Sequence, residues 1–162
     1  MIISGRVWCF GDNIDTDQII PSQYLVLPAI KEMSRHAMEP QQPDFAKMVK
    51  PGDIIVAGQN FGCGSSREQA PAVLKHLGIS AIIARSFARI FFRNCINTGL
   101  IVIETAEAKN ISEGDHCEID IKEGRILNRT KNLIIHFPKY PDFIENLVKC
   151  GGLVNYYKSQ KR

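Results

Sequence analysis

Residues 60–68 (Asn-Phe-Gly-Cys-Gly-Ser-Ser-Arg-Glu) combine residue types that can bind an anion. They lie between a run typical of a buried strand and a run typical of a helix. Ser65 and Glu68 have the spacing of a capping box, which satisfies N–H groups at a helix start, and the two glycines allow close approach of the backbone. Free N–H groups at a helix N-terminus, the hydroxyls of Ser65 and Ser66 and the guanidinium of Arg67 together predict a carboxylate site.

The same pattern has a simpler interpretation, a capping box that only caps a helix. Pro71 bears on where that helix begins. Counted from Ser65, Pro71 lies beyond the first turn and leaves the carbonyl of Arg67 without its usual partner. A helix start one or two residues later is therefore the alternative.

Cysteine and histidine positions predict no metal site within this chain. The cysteines stand at 9, 63, 95, 117 and 150, so no Cys-x-x-Cys pair exists, and the four histidines are scattered. Zinc and iron–sulfur sites usually draw ligands from such pairs. We expect reduced thiols, and because an odd number of cysteines cannot pair completely, one intermolecular disulfide is the alternative.

Apolar strand patterns and helix patterns alternate on both sides of the candidate segment. Strands are predicted over residues 53–57, 80–84 and 100–103, and helices over residues 66–77 and 87–97. Strands that are apolar on both faces and are separated by helices predict a parallel βαβαβ unit with right-handed crossovers.

Residue patterns toward the two ends of the chain predict further strands and a last helix. Residues 3–7 alternate as an opening strand, and a long polar loop follows over residues 11–21. Antiparallel strands are predicted over residues 117–121, 125–129 and 133–137. A last helix is expected from Pro141 to the glycines at 151–152. We therefore predict one α/β domain over residues 1–162, with a parallel and an antiparallel part.

Composition excludes several classes of protein. The 162 residues include 20 Lys and Arg against 17 Asp and Glu, a net charge of +3, and 44% are hydrophobic, which excludes a disordered chain. The basic tail at residues 158–162 is typical of a solvated terminus, so no nucleic-acid partner is expected. No apolar run approaches the roughly 18 residues of a membrane span, and no signal-peptide pattern opens the chain. We predict a cytoplasmic protein without membrane contact.

Three segments resemble, in order and spacing, motifs of one enzyme family. They are residues 11–21 (Gly-Asp-Asn-Ile-Asp-Thr-Asp-Gln-Ile-Ile-Pro), residues 61–68 and residues 85–94 (Arg-Ser-Phe-Ala-Arg-Ile-Phe-Phe-Arg-Asn). The resemblance is to the small subunits of 3-isopropylmalate dehydratase, and it covers nearly the whole chain. It implies an aconitase-type swivelling domain made as a separate polypeptide, with a three-layer β/β/α fold that is compatible with the mixed α/β prediction.

The resemblance also implies an activity and a partner. The family's hydro-lyase reaction interconverts 2-isopropylmalate and 3-isopropylmalate through isopropylmaleate in leucine biosynthesis. The implied partner is a large subunit that carries a 4Fe-4S cluster, so this chain is expected to hold no cofactor and to be inactive alone. The substrate is a small dicarboxylate. Without the large subunit, self-association is the alternative, since exposed apolar patches favour contact.

The resemblance gives roles to the residues of the candidate segment. Ser65 corresponds to the base that removes a proton from the carbon next to a carboxylate. Ser66 and Arg67 correspond to residues that bind a substrate carboxylate. A serine hydroxyl is a poor base, so the site must stabilise an alkoxide, and a helix N-terminus and Arg67 are the local positive features.

Other motif residues are assigned supporting roles. Asp15 and Asp17 belong to the first motif and are expected to orient the loop or the partner interface. Arg89, Arg93 and Asn94 belong to the third motif and are expected to brace the fold or the subunit contact. The residue pattern by itself indicates a solvated helix face at these three positions.

The choice of substrate depends on Val26 and Leu27. Aconitase-like and homoaconitase-like relatives carry an arginine after Tyr-Leu for the third carboxylate, and this chain has Val26 there. A buried carboxylate without a partner costs several kcal/mol, whereas burial of an isopropyl group gains ~1.5–3 kcal/mol. These residues favour isopropylmalate; an ordinary packing role is the alternative. Homoaconitate, citraconate or 2-methylmalate, and dimethylmalate are alternative substrates, and a non-catalytic anion-binding module is the alternative from another class.

Overall fold

Seven strands form one mixed sheet in the computed structural model, which describes residues 1–161. The strands are β1 (Ile2–Cys9), β2 (Ile54–Ala57), β3 (Ala81–Ala84), β4 (Ile101–Glu104), β5 (His116–Asp120), β6 (Arg125–Asn128) and β7 (Leu133–His136). The helices are α1 (Thr16–Ile19), α2 (Ile30–Ser34), α3 (Phe45–Met48), α4 (Gln69–His76), α5 (Arg89–Thr98), α6 (Asp142–Lys149) and α7 (Leu153–Gln160). The strand order is β4-β3-β2-β1-β5-β6-β7.

β1 belongs to both halves of the sheet. Residues 2–6 pair antiparallel with β5, and residues 7–9 pair parallel with β2. The parallel half continues through β3 to β4, and the antiparallel half continues through β6 to β7. The expected parallel βαβαβ unit with added antiparallel strands is confirmed, and so is the three-layer β/β/α class.

The helices of the parallel half lie together on one side of it. The crossovers β2-α4-β3 and β3-α5-β4 step in the same direction along the sheet, and crossovers of the same hand place their helices on the same face. α4 and α5 accordingly contact each other, and α2, α6 and α7 pack around them.

Buried side chains join the two halves. All residues of β2 and β3 are buried, because helices cover one face of these strands and other parts of the chain cover the second. One continuous core runs from Ile83 in β3 to Ile126 in β6. Its one tryptophan, Trp8, donates from Nε1 to the carboxylate of Asp53 at 2.8 Å, which satisfies two buried polar groups at once.

The first helix after β2 begins later than the sequence pattern predicts. We expected a helix from residue 66, and α4 begins at Gln69. Pro71 explains the difference, because in α4 it occupies the third helical position, where its missing N–H would have no partner within the helix. The end of α5 is as expected, with Gly99 in a left-handed conformation at φ 81°.

Three helices were not predicted. α1 interrupts the expected polar loop, α3 lies shortly before β2, and α7 follows the glycines that were expected to end the last helix. The basic tail is exposed over residues 158–161, and residue 162 lies outside the described residues. Within residues 1–161, no helix is long and apolar enough to cross a membrane.

Candidate functional site

Three loops meet where the parallel strands β1, β2 and β3 end. Thr16 N donates to Cys63 O at 2.9 Å, and Ala88 N donates to Phe61 O at 3.0 Å. These bonds join the three sequence motifs into one backbone frame. The carboxyl ends of parallel strands are where open α/β sheets usually bind ligands.

Gly62 allows the loop after β2 to pass close to α5. Its φ is +83°, and a Cβ atom built on it would lie 2.1 Å from Cγ of Phe91. Only glycine fits this position, both for its backbone conformation and for the space available. The close approach places the following serines beside the start of α5.

Ser65 and Ser66 lie in a loop and not in a helix. The expected capping box is wrong: the residue before α4 is Glu68, and no side chain caps that helix. The backbone is held instead by Thr16, whose hydroxyl donates to Ser65 O at 2.8 Å. Both serine residues are exposed, and neither hydroxyl has a hydrogen bond among residues 1–161. The two hydroxyls are therefore available to a ligand.

Arg67 is fixed by one of its three nitrogens. Nη1 donates to Oδ1 of Asp17 at 3.2 Å and to the carbonyl of Ile20 at 3.0 Å. The side chain is 17% exposed. Nε and Nη2 have no acceptor in the described part of the chain, and these two N–H groups form the edge that can bind a carboxylate through two parallel hydrogen bonds.

Asp17 is held in its charged form. Its Oδ1 accepts from Ser22 N at 2.9 Å. This backbone hydrogen bond, followed by the hydrogen bond from Arg67, lowers the pKa of the Asp17 carboxyl below its ordinary value. Asp17 thus remains an anionic partner for Arg67 at neutral pH.

Asp15 fixes the helix that carries Asp17. Its Oδ1 accepts from Gln18 N at 2.9 Å, and Gln18 Oε1 accepts from Asp15 N at 2.9 Å. This reciprocal pair is a capping box at the start of α1. Its Asp-x-x-Gln spacing was present in the sequence and could have predicted the helix.

The helix N-terminus at the site is that of α5. The residue before it is Ala88, and no side chain caps the helix. The N–H groups of Arg89, Ile90 and Phe91 have no acceptor among residues 1–161. Three free N–H groups and the aligned peptide dipoles give this end a partial positive charge. We expected this positive helix end at the helix after Ser65.

These parts enclose a pocket of about 230 Å³. Its lining comes from all three motifs: Thr16, Gly62, Gly64, Ser65, Ser66, Arg67, Ala88, Arg89, Ile90, Phe91 and Asn94. Arg89 is exposed and Asn94 is half-buried. We expected Arg89 and Asn94 on a solvated helix face or as braces, and both line the pocket instead. Their place in the pocket depends on where α5 begins. Arg93 is exposed and is not among the lining residues.

Val26 and Leu27 do not line this pocket. Val26 is 86% exposed in the segment that follows Ile20, and Leu27 is half-buried against the core. That segment begins at the residues that hold Arg67, since Ile20 O accepts from the guanidinium. We expected Val26 and Leu27 to bind the substrate, and this role stays a prediction. The structure places the two residues near Arg67 along the chain and outside the pocket.

The described residues do not fit an iron–sulfur cluster. No group of three or more His, Cys, Asp or Glu side chains among residues 1–161 is close enough to hold a metal ion. The five cysteines are free, and Cys63 is the cysteine of the pocket loop. Burial and the negative charge of Asp15 raise the pKa of the Cys63 thiol, which disfavours the thiolate that a metal would need.

Residues 10–108 match the family described as aconitase C-terminal domain. The match contains all three motifs of the pocket. A 3-isopropylmalate dehydratase small subunit of Archaeoglobus fulgidus is 52% identical over 155 residues, which are 96% of this chain and 96% of the relative.

Relatives with another named activity are equally similar. The methanogen homoaconitase small subunit of Methanothermobacter thermautotrophicus is 53% identical over 156 residues, which are 96% of this chain and 91% of the relative. A crystal structure of 3-isopropylmalate dehydratase from Methanocaldococcus jannaschii has 48% identity and a TM-score of 0.94, with 99% of this chain and 96% of that chain covered.

Proposed function

The chain belongs to the aconitase family, in the group of 3-isopropylmalate dehydratase small subunits, and we propose from this premise that it supplies the base and a carboxylate clamp to a two-subunit hydro-lyase. The reaction is the interconversion of 2-isopropylmalate and 3-isopropylmalate. A molecule of water leaves to give isopropylmaleate and returns to the adjacent carbon. The observation that carries the proposal is the pocket in which Ser65, Arg67 and the start of α5 are brought together.

Ser65 is the base in this proposal. Water elimination requires removal of a proton from a carbon beside a carboxylate, and the Ser65 hydroxyl is exposed in the pocket loop. An alkoxide at Ser65 needs nearby positive charge because a serine hydroxyl is a very weak acid. The guanidinium of Arg67 and the N-terminus of α5 are positive groups of the same pocket.

Arg67 and Ser66 bind a substrate carboxylate. The Nη1 atom of Arg67 is occupied by Asp17 and Ile20, so the Nε–Nη2 edge is left for the ligand. Ser66 adds a hydroxyl donor. Asp15 and Asp17 act through this clamp: Asp15 caps α1, and Asp17, carried by α1, contacts Arg67 directly.

The large subunit completes the site. A Lewis acid assists departure of a hydroxyl from carbon, and the ligands of the 4Fe-4S cluster that the family implies are not assembled in the described part of this chain. We therefore assign the cluster to the large subunit and derive no step of this chain from it. Ser65, Ser66 and Ile90 are exposed, and the partner would cover this face. In its absence we expect the face to favour self-association.

The turn at Val26 selects isopropylmalate in this proposal. A valine offers an isopropyl group apolar contact and offers a third carboxylate no charge partner. Overall similarity does not decide the substrate, since a homoaconitase small subunit is 53% identical to this chain. We also propose that the enzyme is cytoplasmic, because five free cysteines suit a reducing compartment.

The test is turnover by the reconstituted complex. The chain is co-expressed with its large subunit, the cluster is reconstituted under anaerobic conditions, and 3-isopropylmalate and homoaconitate are compared as substrates. Turnover of 3-isopropylmalate by the complex, with none by either subunit alone, is the expected result. A complex with an intact cluster that turns over neither substrate would support another dehydratase substrate or an anion-binding module.

A further inference from the structure

The turn that carries Val26 is placed by Tyr24. Leu27 N donates to Tyr24 O at 3.1 Å, so residues 24–27 form a turn with Val26 at its third position. Val26 is 86% exposed and has no packing of its own that would fix it. The position of Val26 is therefore set by the turn residues that do pack, which are Leu25 and Leu27 against the core and Tyr24 at the start of the turn.

Tyr24 is held by His36. The two rings are stacked, with their centroids 3.7 Å apart and their planes inclined by 6°. His36 Nδ1 lies 3.2 Å from Oε2 of Glu39. The nearby carboxylate of Glu39 is the main reason why the pKa of Tyr24 is raised. His36 thus contacts both Tyr24, through the ring stack, and Glu39, through Nδ1.

The segment behind His36 is anchored to the residues that hold Arg67. Met38 is fully buried and adopts a positive φ of 59°. Its N–H donates to Ile19 O at 2.8 Å, while the next carbonyl, that of Ile20, accepts from Arg67 at 3.0 Å. His36 is therefore attached to the same short stretch of chain as the carboxylate clamp, and it can set the turn at a fixed place relative to that clamp.

We propose that His36 is a positioning residue which, through its stack on Tyr24, sets the place of the turn at residues 24–27 and thereby the discrimination among substrates by the size of their alkyl group. The inference rests on the proposed function and deepens it. His36 does not touch the substrate. Its effect reaches the substrate through Val26, so it bears on the alkyl group and not on the carboxylates common to all substrates.

The test compares two substrates in the reconstituted complex. The ratio of kcat/KM for 3-isopropylmalate to kcat/KM for 3-methylmalate is measured for wild type and His36→Ala. We expect this ratio to fall about tenfold, since loosening contact with one or two methyl groups has effects of that size. A side chain that only supports the fold would lower both kcat/KM values equally and leave the ratio unchanged. His36→Phe, which retains a stacking ring, should restore most of the ratio.

Two further variants complete the design. His136→Ala removes an exposed histidine from β7 and should leave the ratio at the wild-type value. Glu39→Ala removes the acceptor of His36 Nδ1 and should also lower the ratio, by a smaller factor. If His36→Ala does not assemble with the large subunit, Glu39→Ala is the variant that tests the inference.

The outcomes separate this inference from the proposed function. An unchanged ratio in His36→Ala and Glu39→Ala, or an equal loss for both substrates, overturns the positioning role. A wild-type complex that turns over neither substrate contradicts the proposed function instead.

Discussion

Arg67 Nη1 donates to Asp17 Oδ1 at 3.2 Å, across 50 residues of sequence. The contact joins the loop after β2 to helix α1, and it is the only side-chain partner of the guanidinium among residues 1–161. It occupies one nitrogen of the guanidinium and leaves the Nε–Nη2 edge for a carboxylate. The charge and orientation of the clamp thus depend on a residue that need not touch the substrate.

Asp17→Ala should weaken substrate binding with little loss of stability. Arg67 would keep its charge and lose one of its two anchors, so we expect KM for 3-isopropylmalate to rise about tenfold, equivalent to ~1.4 kcal/mol. The free energy of unfolding should change by under about 1 kcal/mol, because Asp17 is 59% exposed. Asp120→Ala is the matched control, since Asp120 also accepts one backbone N–H, from Glu123, and faces Arg125. Equal KM values for wild type and Asp17→Ala would contradict the role of this contact.

The pKa of the Asp17 carboxyl should be set by its two hydrogen-bond partners. The Ser22 N–H and then the Arg67 guanidinium lower the pKa of the folded state. Above the ordinary aspartate pKa of about 4, the carboxylate and its contact with Arg67 are therefore fully present. They are lost as the pH falls through the lowered pKa. Carboxyl chemical shifts measured by NMR should give a midpoint below that of free aspartate, and Arg67→Ala should raise it partway. A wild-type midpoint at or above the ordinary value would exclude this arrangement.

Ser65→Ala should abolish turnover and leave assembly intact. The variant removes the base, and loss of a positioned base lowers kcat by roughly 10²–10⁴-fold. The Ser65 hydroxyl has no hydrogen bond within the described residues, so the free energy of unfolding should be unchanged, and the complex with the large subunit should still form. Ser159→Ala, on the exposed face of α7, is the control. Substantial residual turnover in Ser65→Ala would show that another group removes the proton.

The parallel half of the fold could be predicted because the residue types within its strands indicate burial without any information from the rest of the chain. Every residue of β2 and β3 is apolar, which marks strands buried on both faces. The place of the loop at residues 61–68 relative to the helices could not be predicted in this way. Ser65 and Glu68 have a capping-box spacing, yet Pro71 moves the start of α4 to Gln69, and the positive helix end at the pocket belongs to α5.

The remaining differences have local causes. Gly151 and Gly152 end α6, as expected, but α6 is not the last helix, because the two glycines also make the turn into α7. A Cβ on Gly152 would lie 2.6 Å from Asn97 O, so close packing against α5 requires glycine there. The contact of Arg67 with Asp17 joins two loops and depends on their packing. No local sequence pattern predicts such a pairing. The resemblance to a family predicted only that Asp17 supports the loop or the partner interface.

Gly62→Ala should destabilise the protein more than a positive φ alone explains. Gly62 and Gly114 both have φ of +83°, but a Cβ at Gly114 meets no atom within 4 Å, whereas one at Gly62 lies 2.1 Å from Phe91 Cγ. Gly114→Ala should therefore lower the free energy of unfolding by the backbone term of about 1–2 kcal/mol. Gly62→Ala should add the ~1–3 kcal/mol of overpacking and distort the pocket. Urea denaturation measures both; equal losses would mean that the contact with Phe91 relaxes without cost.

Val26→Arg should shift the enzyme toward a substrate with a third carboxylate. Val26 is 86% exposed, so the larger side chain needs no rearrangement of the core, and the free energy of unfolding should stay within about 0.5 kcal/mol of wild type. A charge-assisted hydrogen bond of about 1.5–3 kcal/mol would raise kcat/KM for homoaconitate relative to 3-isopropylmalate by roughly tenfold to a hundredfold. Val154→Arg, which adds the same charge at a 67% exposed position on α7, should leave that ratio unchanged. If both variants shift the ratio equally, net charge and not the turn is responsible; if neither does, substrate choice lies in the pocket or in the large subunit.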